Sequence, residues 1–90
     1  MEIENINWNY PTTIWFGINR IKDIQKACND LNMKNPLIVT DPGILQTDII
    51  NKINNSLNQS ADIFSNVQSN PTGQNVEEGV TQFNQNNHDG

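Results

Sequence analysis

Two hydrophobic periods alternate along this chain, and that alternation restricts the fold more than any other feature. Residues 12–16, TTIWF, are β-branched and aromatic and stop at Gly17, the pattern of a strand followed by a tight turn. A short strand over residues 6–9 is expected before it. Ile18, Ile21, Ile24, Ala27, Cys28 and Leu31 then recur at helical spacing, which predicts one apolar face of a helix from about residue 19 to 32. Asn19 is the expected N-cap, because its side-chain oxygen can accept an orphan backbone N–H.

Residues 36–40, PLIVT, form a short apolar run ended by Asp41-Pro42-Gly43, consistent with a strand buried on both faces. Leu45, Ile49, Ile53 and Leu57 lie four apart, predicting a second helix over about 47–58 with Thr47 or Asp48 at its start. A weaker strand is expected at residues 61–64, ADIF, and a turn at Asn70-Pro71-Thr72-Gly73. Asn75 followed by Glu78 reads as a capping-box-like start to a third helix, whose apolar face is Val76, Val80 and Phe83. Gly79 would let that helix approach the sheet closely. The order β-α-β-α-β-α implies an α/β fold with a mostly parallel sheet and right-handed crossovers. The last helix should end near Asn87, with His88-Asp89-Gly90 leading towards another strand. A parallel sheet left there has an unpaired edge, so a truncated domain is expected.

The bulk numbers agree with an incomplete unit. Ninety residues allow one small domain that buries only roughly 60–65% of its unfolded surface. Hydrophobic residues are 34% of the chain, and counting glycine still leaves it below the roughly 45–50% of a globular domain. The polar excess is Asn and Gln; charged residues are only 17%, which argues against charge-driven disorder. A formal net charge of −5 with five scattered basic residues disfavours nucleic acid, which needs clustered Lys and Arg. A lone cysteine, Cys28, makes no internal disulfide and points to a reducing compartment. The acidic start MEIENINWNY has no apolar signal core, and no apolar run reaches the ~20 residues that cross a bilayer. A cytoplasmic protein without membrane partners is expected.

Few residues are placed to carry chemistry. In open parallel sheets, ligands sit outside the carboxyl ends of strands, where Asp41 falls. A carboxylate there can accept hydrogen bonds from a ribose diol and repel a 2′-phosphate. The alternative is that Asp41 only caps a turn, with Pro42 at the first helical position. Asn70, in a strand-to-helix loop on the same rim, can donate and accept towards a cofactor, or be simple turn chemistry. His88 is the only histidine, and without converging ligands it reads as a solvated or strand-entry residue rather than a metal ligand. Cys28 reads as a buried, inert thiol. Glu77 and Glu78 read as helix-start charges, and Trp8 and Trp15 as packing residues. Neither GxGxxG nor a P-loop is present.

Taken in order, Thr13-Ile14-Trp15-Phe16-Gly17, the run Pro36 to Gly43 (PLIVTDPG), Ile63-Phe64, Asn70-Pro71-Thr72, the run Asn75 to Val80 (NVEEGV) and Asp89-Gly90 resemble the N-terminal part of iron-containing (group III) alcohol dehydrogenases. The resemblance runs from about Tyr10 to Gly90. It implies a partial Rossmann-like, dehydroquinate-synthase-like domain at residues 1–90, with a C-terminal helical domain absent. It implies hydride transfer between an alcohol or aldehyde and NAD(P), with a divalent metal, iron foremost, polarising the alcohol oxygen. It implies that Asp41 contacts the adenosine ribose, so that NAD is expected over NADP, that Asn70 lies near the cofactor, and that Thr72 is close by. The family's GGGS pyrophosphate loop is not in the chain, and its Asp and His metal ligands belong to the helical domain. The chain alone is therefore expected to be inactive, and the whole enzyme to be a candidate homo-oligomer. Two other readings stay open: a stand-alone, non-catalytic α/β binding module, and the first domain of a glycerol dehydrogenase or dehydroquinate-synthase-like enzyme.

Overall fold

The computed structural model describes residues 11–90. The strand expected at residues 6–9, and Trp8 with it, lie outside the described residues. A 3-10 helix, Arg20–Asp23, runs into α1, Ile24–Asp30. Then follow β1, Leu37–Val39; α2, Pro42–Leu45; α3, Ile49–Ser56; β2, Asp62–Phe64; and α4, Gly73–Gln85. Among the described residues no helix is long and apolar enough to cross a membrane.

β1 and β2 pair in parallel, with Leu37 opposite Asp62, Ile38 opposite Ile63 and Val39 opposite Phe64. Thr40 N–H extends the ladder to Phe64 O at 2.9 Å. Among the described residues, Cys28 of α1, Ile50 of α3 and Phe64 of β2 are the buried apolar ones. The buried, inert reading of Cys28 therefore holds for its burial. Helix α4 packs on the sheet through its glycine: a Cβ built at Gly79 would lie 3.3 Å from Phe64 Cε1. Beside it, Gln82 Nε2 donates to Ile63 O at 3.0 Å.

The segment after α4 returns to β1. Asn87 adopts left-handed backbone, φ 56°, which asparagine tolerates better than most residues. Asp89 N–H then donates to Asn35 O at 3.2 Å, and Leu37 N–H donates to Gly90 O at 2.8 Å. Successive backbone groups of a strand point to opposite edges, and Thr40 N–H points to β2. Leu37 N–H, three residues earlier, therefore faces the other edge, and the return segment lies there. Asp89 fastens it: its two carboxylate oxygens accept from Lys34 N–H and Asn35 N–H, each at 2.8 Å. Asn35 Nδ2 in turn donates to Asn86 O and Asn87 O.

His88 is buried, contrary to the solvated reading. Its Nδ1 sits 3.0 Å from Asn35 O; a carbonyl only accepts, so Nδ1 carries the proton. Nε2 is 3.2 Å from Asp62 Oδ2 but outside hydrogen-bond geometry.

Several local expectations fail for identifiable reasons. Residues 12–16 make no ladder among the described residues; a strand needs a neighbour, and Phe16 is 94% exposed. Trp15 instead lies under the Arg20 guanidinium, 4.7 Å from its centroid. Asn19 precedes the 3-10 helix with φ 58° and makes no side-chain cap, because a cap acts from extended backbone. Ile18 is 96% exposed and Leu31 also exposed, since the helical segment starts after one and stops before the other. Val39 is 61% exposed, so β1 is not buried on both faces. Leu45 belongs to a separate short helix, α2. Thr47 serves the joint: its hydroxyl donates to Ile44 O at 2.6 Å and accepts from Ile49 N–H at 3.3 Å. Asp48 makes no side-chain cap. The third helix begins at Gly73 with a Thr72–Asn75 capping box, three residues ahead of the Asn75–Glu78 pair. That shift leaves Glu77 and Glu78 beyond the first turn and Val76 62% exposed, with Val80 exposed beside it.

Gly79→Val is expected to destabilise the chain by about 1–3 kcal/mol, the usual cost of overpacking, seen as a lower denaturant midpoint. An unchanged midpoint would mean α4 does not press on Phe64. Asp89 supplies a pH test. The Lys34 N–H foremost, then the Asn35 N–H, hold its carboxyl below its ordinary pKa. Its stabilisation is complete above the unfolded value of ~3.9 and is lost as pH falls through the lower folded value. Asp89→Ala should lower the melting temperature at neutral pH, and the gap to wild type should close in strong acid. A gap of constant size across that range would show that the carboxylate's charge is irrelevant.

Candidate functional site

Parallel pairing puts the carboxyl ends of β1 and β2 on one rim, and the polar side chains collect there. At the end of β1, Asp41 keeps extended backbone (φ −92°, ψ 167°) and its side chain accepts from Ile44 N–H at 2.7 Å. Pro42 occupies the first helical turn of α2, where its missing N–H costs nothing. The capping role weighed for Asp41 is thus present in the structure. It uses Oδ1; Oδ2 has no hydrogen-bond partner among the described residues.

The loop after β2 forms the opposite wall. Asp41–Gly43 and Asn66–Ser69 enclose an open groove of about 470 Å³. Asp41, half-buried, is the only charged residue lining it. Such a surface accepts hydrogen bonds from hydroxyls and offers nothing to neutralise a phosphate. A larger hollow of about 750 Å³ lies between residues 11–15 and the Arg20–Leu31 segment. It is away from the strand ends; of its charged residues Arg20, Asp23 and Asp30, the first two pair at 3.2 Å. The smaller groove is the better candidate because its polar groups converge at the sheet's carboxyl rim.

The three residues singled out from sequence are distributed unequally. Asp41 lines the groove. Asn70 comes directly after Ser69, the last groove-lining residue of the loop after β2, and is exposed. Thr72 ends the loop as the N-cap of α4: its Oγ1 accepts from Asn75 N–H at 3.2 Å, and its own N–H donates to Asn75 Oδ1 at 3.1 Å.

Sequence reasoning passed over Asn66–Ser69, which carry no motif, and misread Asn75. Asn75 is buried, and its Oδ1 also accepts from Gln68 N–H at 3.2 Å. The available signal was Thr72 three residues before Asn75, a variant of the capping box with Asn in place of Glu or Gln. Among the described residues no three His, Cys, Asp or Glu side chains converge to hold a metal.

The family model of iron-containing alcohol dehydrogenases matches residues 11–90. A crystal structure of 1,3-propanediol oxidoreductase is similar in fold, with a TM-score of 0.74 and 30% sequence identity. The match covers 79% of this chain but 19% of that one, so the chain spans about a fifth of that enzyme's length. No curated protein matches the chain. With every described residue inside the family match, the chain belongs to the iron-containing alcohol dehydrogenase family.

Proposed function

We propose that this chain supplies the first part of the nucleotide-binding domain of an NAD-dependent alcohol dehydrogenase, with its groove taking the adenosine ribose. The observation that carries the reading is Asp41: a carboxylate at the end of a parallel strand, with Oδ2 unengaged, in a groove lined by no basic residue. Asp41 Oδ2 accepts from the ribose hydroxyls. Asn70 offers its amide as donor and acceptor from the adjoining loop. Thr72 spends its oxygen's acceptor role on the helix cap, and its hydroxyl proton is left to donate. When bound, the cofactor supplies the acceptor for the hydride of a small alcohol, which also gives up its hydroxyl proton to solvent and leaves as the aldehyde.

The family's metal does not fit the described residues, which offer no convergent ligand set; its ligands are assigned to a C-terminal helical domain of the whole enzyme. We further infer that the whole enzyme is cytoplasmic, has no nucleic-acid or membrane partners, and assembles from identical subunits.

Two outcomes are expected. The purified chain, supplied with NAD, divalent metal and alcohol, should show no NAD reduction above a blank; metal-dependent turnover would overturn the division of labour proposed here. Asp41 should set cofactor choice. A 2′-phosphate brings about two negative charges against its carboxylate, and a penalty of only ~1.4 kcal/mol gives a tenfold preference for NAD. Asp41→Gly is the variant to use, because glycine at an N-cap costs only a few tenths of a kcal/mol. In the enzyme that carries this chain it should raise the NADP-to-NAD ratio of kcat/KM about tenfold. An unchanged ratio would leave Asp41 with its capping role alone.

A further inference from the structure

We propose that Asn75 is a positioning residue for the cofactor, holding the groove wall formed by the loop after β2; this rests on the reading of that groove as the ribose site. Asn75 is 8% exposed, and with His88 it is one of two buried polar side chains among the described residues. Burying an amide is unfavourable unless its polar atoms find partners. Here Oδ1 accepts two backbone N–H groups, Thr72 at 3.1 Å and Gln68 at 3.2 Å.

The two bonds differ in purpose. The bond to Thr72, with the return bond from Asn75 N–H to Thr72 Oγ1, completes the cap of α4. A capping box needs nothing more. The bond to Gln68 reaches seven residues back and lands on the wall that faces Asp41 across the groove. That wall lies past the end of β2, where the sheet ladder no longer fixes it. Its other side-chain tie, from Asn66 Nδ2 to the Glu78 carboxylate, is exposed. Asn75 is therefore the buried fixture that sets the height of Gln68 and Ser69 above the groove floor.

The chemistry asks for an oxygen with two free lone pairs at this position. Aspartate keeps both acceptors, and its charge is favourable in the first turn of a helix. Alanine keeps neither. The loop would then sample several conformations, and the cofactor would have to order it on binding, which weakens binding without touching the hydride step.

The test uses the whole enzyme that carries this chain, as wild type, Asn75→Asp and Asn75→Ala. The NAD dissociation constant, KM for the alcohol, kcat at saturating NAD, and exchange protection of the Gln68 and Thr72 amides are measured. Asn75→Ala should raise the NAD dissociation constant about tenfold and expose both amides, with kcat and the alcohol KM within about twofold. Asn75→Asp should restore protection and most of the affinity. If the alanine enzyme does not accumulate, Asn75→Ser carries the same test, since its shorter side chain cannot reach both N–H groups. Unchanged NAD affinity in Asn75→Ala would overturn the positioning role, whatever its melting temperature. A wild-type enzyme that bound no NAD would instead sink the ribose reading of the groove, and this role with it, a result plainly distinct from the first.

Discussion

Parallel strands cannot be joined by a tight turn, because the chain must travel back to its starting level before it can run the same way again. In this chain that geometric demand governs nearly everything between Asp41 and Ala61. β1 and β2 are only three residues each, so little ladder energy is available, and the crossover must supply the cohesion. It does so through α3, which buries Ile50 and packs on the 3-10 helix and α1. The same demand decides where function can reside. Both strands end on one side, so the caps, turns and unpaired side chains that follow them are gathered on one rim without any further design.

The elements legible in the sequence were those where local preference and tertiary demand coincide. The runs PLIVT and ADIF contain the observed strands. Asp41-Pro42 stops the first of them, and Gly79 marks the close approach of the last helix to Phe64. What could not be read was any property that needs a neighbour. Residues 12–16 have strand composition, but composition cannot provide a ladder partner. Val76 and Val80 have the spacing of a buried face, yet the register of α4 is set by Thr72 and Asn75. That register turns Asn75 and Gly79 inward and leaves the valines in solvent. An apolar period finds a helix; the cap decides which way it faces.

The candidate site was legible in the same partial way. Asp41 was placed at the right end of the right strand by position alone. Its simultaneous use as a helix cap was an alternative in the sequence and is a fact in the structure. A carboxylate has two oxygens, so the cap and a ligand need not compete, and the cap in fact holds the side chain in one orientation. Asn75, by contrast, acts entirely through backbone N–H groups of residues before it. The cap it shares with Thr72 has a signal in the sequence, but the tie to Gln68 has none, because any loop of suitable shape would present the same N–H.

The return of the chain to β1 has a consequence for how this molecule is made. The ties from Lys34 and Asn35 to Asp89 span 55 and 54 residues. Contacts so distant in sequence carry a large closure cost and form late. During synthesis the entry to β1 leaves the ribosome long before the segment that will pin it. Until α4 has folded and Asn87 has reversed the chain, that strand edge has no occupant, and nascent chains crowded together would be most able to pair through it.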